Sequence, residues 1–265
     1  CVRAAWRYAG SLGAELRPGT ALESVVFDDS GVVLALRGGD EIHARKVVLA
    51  PGAWLSGLAR QFFGLDLPTT VSAETVSYFA PRRGCGIDHT YKAMPVFLSY
   101  IDNALGPYGC YGLPQIDVAG VKVSAHFCGP VVDPDRRPCA AGGVGGILTP
   151  EEEAAAASRV AAVVEENRRC ISRLLPHLEV LPFESQNCLY TCTPDHDYII
   201  DRVPGHSAAV LAGGGSGHAF KMGPAIGEAC ARLALDEEPA FPLEQFSIER
   251  LAVGRNSASG KARRK

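Results

Sequence analysis

Leu211–Lys221 reads LAGGGSGHAFK, and the fold turns on this stretch. Just upstream, Ala208, Ala209, Val210, Leu211 and Ala212 form an unbroken apolar run, as in a buried strand. Gly213, Gly214 and Gly215 end it. Ser216, Gly217, His218, Ala219, Phe220 and Lys221 follow, and then Ala225, Ile226, Ala229, Cys230, Leu233 and Leu235 recur at roughly helical spacing. The pattern predicts a buried strand, a glycine turn and a helix. Glycines let backbone approach a ligand closely, and a helix N-terminus offers free N–H groups and a positive dipole end. That geometry suits an anionic or electron-rich ligand edge. A tight strand-to-helix turn with no ligand accounts for the same residues equally well. The stretch is not a P-loop, because no Gly-Lys pair closes it. Nor is it GxGxxG, because His218 stands where the third glycine belongs.

Composition narrows the class. The 265 residues, 47% hydrophobic and 21% charged, suit one large domain or two interleaved ones. The formal net charge is −3, and the tail from Arg255 holds five basic residues, so the remainder stands near −8. That argues against a nucleic-acid surface on the body. The basic end is expected to be solvated and disordered. Nine cysteines without a CxxC pair predict a reducing compartment and mostly buried thiols. No metal site is expected: Cys188 and Cys192 lack a second ligand pair at zinc spacing. No stretch is long and apolar enough for a membrane span, and no signal peptide opens the chain. The chain starts at Cys1, inside what reads as a helix, and is expected to be a fragment lacking an N-terminal part.

Outward from the glycine turn, the pattern gives an order of elements. Val2 to Leu12 is an amphipathic helix. Ala21 to Phe27 and Val32 to Leu36 form a hairpin across Asp28-Asp29-Ser30-Gly31. Glu41 to Ala50 is one strand with an apolar, buried end, and Pro51-Gly52-Ala53-Trp54 turns it into a helix through about Phe63. Lys46 is expected at the surface. Pro68 to Ala80, Pro95 to Ile101, Tyr108 to Pro114 and Gly120 to Phe127 predict an antiparallel sheet with long loops at 81–93 and 129–148. Thr149 to Leu175 is a helix opened by a capping box with Pro150 at its first position. Val180 to Thr193 and Tyr198 to Asp201 are strands.

Two strands carry candidate chemistry. In GVKVSAHF, Gly120 to Phe127, strict alternation sets Lys122, Ser124 and His126 against Val121, Val123, Ala125 and Phe127. The polar row faces either water or a ligand cavity. In the second strand, Cys188, Tyr190 and Cys192 share a face, with small buried thiols as the plain alternative. His218 and Lys221 stand at a predicted helix start, where a cation is unfavourable unless an anion neutralises it.

Five stretches in order, VVLAPGAW (47–54), YGLP (111–114), GVKVSAH (120–126), CLYTCTPDHDYIID (188–201) and GGGSGHAFK (213–221), resemble the sarcosine oxidase-like amine oxidases, flavoproteins of the D-amino-acid-oxidase type. The resemblance implies an α/β (mixed α+β) fold. A discontinuous FAD-binding domain, lacking its N-terminal βαβ unit, would occupy 1–74 and 194–250. An antiparallel-sheet substrate domain would occupy 75–193, and a basic tail 251–265. It implies FAD as cofactor, with Cys188 matching the cysteine that forms a thioether to the flavin. Lys122 matches the lysine below flavin N5 that promotes electron transfer to O2. Lys221 matches a substrate-carboxylate ligand. Tyr111, Tyr190, His126 and His218 match residues around substrate and flavin. Gly215, Gly217, Ala50, Gly52 and Val25 match positions along the bound dinucleotide.

The implied reaction is oxidation of a secondary amino acid, N-methyl or cyclic, with hydride transfer to flavin and reoxidation by O2 to H2O2. The implied enzyme is monomeric, takes a small amino acid and O2 as partners, and binds neither nucleic acid nor membrane. The C-terminal Ala-Arg-Arg-Lys is not a peroxisomal address, so a cytoplasmic location is expected. The alternatives are a dehydrogenase with another electron acceptor, and an inactive fragment unable to hold FAD. The departures are the missing GxGxxG turn, the missing arginine segment for the substrate carboxylate, Ala219 in place of glycine, and Gly214 in place of phenylalanine.

Overall fold

The computed structural model describes residues 1–136 and 149–251. In chain order it holds α1 (Val2–Ser11), β1 (Leu22–Asp28), β2 (Gly31–Leu36), β3 (Glu41–Ala44), β4 (Val47–Leu49), α2 (Leu55–Phe63), β5 (Thr70–Phe79), β6 (Phe97–Ser99), β7 (Cys110–Leu113), β8 (Val121–Ala125), α3 (Pro150–Leu174), β9 (Glu184–Cys192), β10 (Ile199–Val203), β11 (His206–Gly213) and α4 (Gly223–Ala234). The predicted basic tail falls outside the described residues, apart from Leu251, as does the second half of the 129–148 loop.

Three sheets form: β1-β2-β3, β10-β11-β4 and β6-β7-β8-β5-β9. The small meander uses the expected turn, where the Asp28 carboxylate accepts from the N–H groups of Ser30 and Gly31. β11 pairs parallel with β4, Ala209 opposite Val47, so the two predicted apolar strands meet although far apart in sequence. On one side of this sheet Leu49, Leu55, Ile199 and Leu211 pack with the meander and α2. On the other, Ile200, Val210, Ala229 and Leu233 pack with α4. Two covered faces explain the unbroken apolar run at 208–212.

The five-stranded sheet is wholly antiparallel. α3 covers one face, with Ile171 packed against Phe79, Val121 and Val123. Its capping box is as expected: Thr149 Oγ1 accepts from the Glu152 N–H and Glu152 accepts from the Thr149 N–H. Replacing such a cap costs about 1 kcal/mol. Asn167 ties α3 to the sheet, donating to Ser77 Oγ at 3.0 Å and accepting from the Ala125 N–H at 2.6 Å.

Several expectations need correction. Glu41 to Ala50 is two strands in two sheets, because the chain breaks at Arg45–Lys46 to leave the meander. Lys46 is no free surface cation: its Nζ pairs with Asp236 at 2.9 Å and donates to the Ser207 carbonyl. β8 stops at Ala125, since Asn167 takes that residue's N–H and Phe127 turns to φ +55°. α4 begins at Gly223, after a short 3-10 turn at Phe220–Met222, so Gly217 and His218 lie in the turn before the helix. The thiols are not all reduced and buried: Cys110 and Cys170 form a disulfide between β7 and α3, and Cys1 and Cys188 are exposed. α1 forms as expected but buries no residue. No helix among the described residues is long and apolar enough to cross a membrane.

Candidate active site

The face of the large sheet away from α3 gathers the predicted residues. In antiparallel pairing, opposed residues share a face, and the face repeats every second position. Lys122 opposes Tyr78 on β5 and Leu113 on β7; Tyr111 opposes Ser124. Cys188 opposes Glu74 and Tyr190 opposes Ser72. Since 72, 74 and 78 have one parity, Lys122, Tyr111, Cys188 and Tyr190 point to one side. Lys122 and Cys188 stand four β5 positions apart and two strands across, on the order of 13 Å along and 10 Å over.

A cavity of about 700 Å³ opens on this face, lined by Tyr111, Lys122, His126, Tyr190, Gly217, His218 and Lys221 among others. A second, of about 420 Å³, is lined by Ala50, Gly52, Gly213, Gly214 and Gly215 among others, with Tyr190, Gly217 and Phe220 shared between the two. The glycine run is needed for the shape. Gly217 lies at φ +77° with its α-carbon against the Tyr190 ring, and an added Cβ would sit 2.3 Å from that ring. Gly52, at φ +58°, has nothing within 4 Å of an added Cβ, so backbone there faces open space. Cys188 is exposed and lines neither cavity, and Val25 lies in the meander core.

The charged side chains that line the cavities are all basic. No carboxylate lines either cavity among the described residues, whereas Lys122 and Lys221 line the larger one. Lys221 Nζ donates to the His218 carbonyl at 2.9 Å. Lys122 has no ion pair or side-chain hydrogen bond among the described residues. A partly buried ammonium without a partner is an attractor for an anion or for developing negative charge. Burial pushes the His126 ring down to about 4, helped by the nearby His218 and His196. Burial also pushes the Tyr190 phenol well above its ordinary range, with Tyr111 adding to it. At neutral pH both are therefore uncharged, and Tyr190 Oη lies 3.5 Å from His126 Nδ1.

His218 is fixed at both ring nitrogens. Nε2 donates to the His196 carbonyl at 3.0 Å, and Nδ1 lies 2.7 Å from Tyr198 Oη. Sequence reasoning assigned no role to Tyr198, His196, Tyr108 or Phe127. The His196 ring stacks on Phe127 at 4.7 Å, and Tyr108 lies 5.7 Å from His126. Alternation placed Phe127 on the apolar face; the positive-φ turn swings it to the cavity instead. The polar run Asp195-His196-Asp197 between two apolar strands was the available signal for His196.

The family described as FAD dependent oxidoreductase (DAO) matches residues 1–233. The chain belongs to this family. It is 31% identical over 250 residues to a probable sarcosine oxidase of Arabidopsis thaliana, covering 90% of this chain and 54% of that protein. It is 30% identical over 257 residues to the monomeric sarcosine oxidase of Bacillus sp. (strain B-0618), covering 96% and 59%. In structure it is similar to the open form of NikD, an unusual amino acid oxidase essential for nikkomycin biosynthesis. That likeness has a TM-score of 0.69 at 22% identity over 93% of this chain and 58% of that one, which bears on the fold. The chain spans about half the length of the curated relatives it matches. The residues present fit the ring end of a FAD: an open glycine backbone, two cavities that share lining residues, and a cation without a partner among the described residues. A GxGxxG turn for the pyrophosphate is not among them.

Proposed function

We propose that the protein containing this chain oxidises a secondary amino acid, N-methyl or cyclic. FAD, when bound, supplies the acceptor for the hydride from the carbon beside nitrogen and hands the electrons to O2 as H2O2. The observation that carries this reading is Lys122: an ammonium with no counter-ion among the described residues, in a cavity without carboxylates, on one sheet face with Cys188. A fixed cation stabilises negative charge that develops next to it, which here is the charge on O2 as it is reduced. Lys221, which lines the same cavity, holds the substrate carboxylate. Neutral His126 lies with Nδ1 3.5 Å from the Tyr190 hydroxyl, and these uncharged groups with Tyr111 orient an uncharged amine without competing for its proton. Cys188 is the residue proposed to tether the flavin covalently. The working unit in this reading is one copy of the protein in the cytoplasm.

The test uses the full-length protein. Anaerobic addition of N-methyl and cyclic imino amino acids should bleach the flavin spectrum, and admitting O2 should restore it with one H2O2 per flavin. Bleaching without H2O2 would instead mark a dehydrogenase. No bleaching by any member of either class would remove the substrate assignment.

A further inference from the structure

We propose that Glu74 and Arg159 are positioning residues that clamp the turn 125–129 over the cavity and thereby present His126 and Phe127 to it. Glu74 is 1% exposed, on the cavity face of β5, the strand between β8 and β9. Its Oε2 accepts from the N–H groups of both Cys128 and Gly129 at 3.0 Å, and its Oε1 accepts from Ser72 Oγ at 2.6 Å. From the other side, Arg159 on α3 donates through Nε to the Cys128 carbonyl at 2.8 Å and through a second nitrogen to the Leu105 carbonyl. The Cys128 carbonyl and the Gly129 N–H belong to one peptide unit. That unit has an anion at its donor end and a cation at its acceptor end, so its dipole is held along the line between two charges.

The turn needs such a hold. Phe127 sits at φ +55°, which costs a residue with a side chain roughly 1–2 kcal/mol. Gly129 presses on β5 so closely that an added Cβ would stand 2.1 Å from the Ala73 carbonyl oxygen. A buried carboxylate persists only when its hydrogen bonds are made, and every strong acceptor bond of Glu74 except that from Ser72 goes to this turn. The proposal rests on His126 belonging to the site, and its test does not depend on turnover.

The experiment is a histidine-selective NMR titration of the full chain, with the His126 resonance identified by its loss in His126→Asn. His126 faces Tyr108, Tyr111, Tyr190, His196 and His218, with Lys122 and Lys221 lining the same cavity. Glu74 is not among the causes of the low ring pKa, so a rise on its removal reports exposure of the ring rather than loss of a charge. The native protein should titrate at about 4. Glu74→Gln keeps an acceptor for both amides and should stay there. Glu74→Ala and Arg159→Met should raise His126 toward 6.5, by on the order of one unit or more. A folded Glu74→Ala protein that still titrates at about 4 overturns the proposal. If that variant fails to fold, an unmoved Arg159→Met decides against it equally. So does a rise in Glu74→Gln as large as in Glu74→Ala.

Discussion

Replacing His126 with asparagine should remove a pH dependence from the stability of the protein. The ring titrates at about 4 in the fold against an ordinary 6.5, because burial disfavours its charged form. Between those values the unfolded chain binds a proton that the folded chain refuses. Stability therefore rises with pH across this window, and it is lost as pH falls from about 6.5 toward 4. The full shift corresponds to about 3 kcal/mol. Between pH 7 and pH 5 the loss is about 2 kcal/mol, a ceiling because the ring is only partly buried. With a urea slope of about 3 kcal/mol per molar, the midpoint falls by up to ~0.7 M. Asp195, held at about 2 by its ion pair with Arg250, titrates below this window and does not blur it. The assay is urea unfolding of native and His126→Asn protein at both pH values. The native midpoint should fall further than the variant's. Equal falls would show that His126 is not held neutral by its surroundings, and the electrostatic description of the cavity would fail.

Acid-denatured native protein should retain yellow colour after the supernatant is removed, and Cys188→Ala should release it; free flavin from the native protein would end the covalent assignment. Gly217→Ala should destabilise by roughly 2 kcal/mol or more, because the new methyl meets the Tyr190 ring at 2.3 Å on a residue held at φ +77°. A melting temperature unchanged from native would show that the glycine turn does not pack as described.

Much of this fold was legible because its signals are local. The capping box at Thr149–Glu152 and the Asp28–Gly31 hairpin each lie within four residues, and both form as read. The apolar run at 208–212 identified a buried strand, and both of its faces are covered. What escaped was decided from a distance. β8 ends at Ala125 because Asn167, from α3, takes the amide there, and the turn beyond is shaped by Glu74 and Arg159. No periodicity within 120–127 carries that information, so alternation ran two residues too far. The Cys110–Cys170 disulfide joins residues sixty apart in sequence, and nine cysteines leave many pairings open. The site residues implied by family resemblance mostly line two neighbouring cavities, while Val25 and Cys188 line neither.

The most direct test of the account concerns Lys122, which should serve the return of electrons to O2 rather than their removal from the amine. Stopped-flow measurement of Lys122→Met in the full-length protein separates the two half-reactions. Flavin reoxidation should slow by about 10²-fold or more, as when a preorganised charge is removed, with reduction by substrate changed far less. Equal slowing of both, or reoxidation at the native rate, would contradict it.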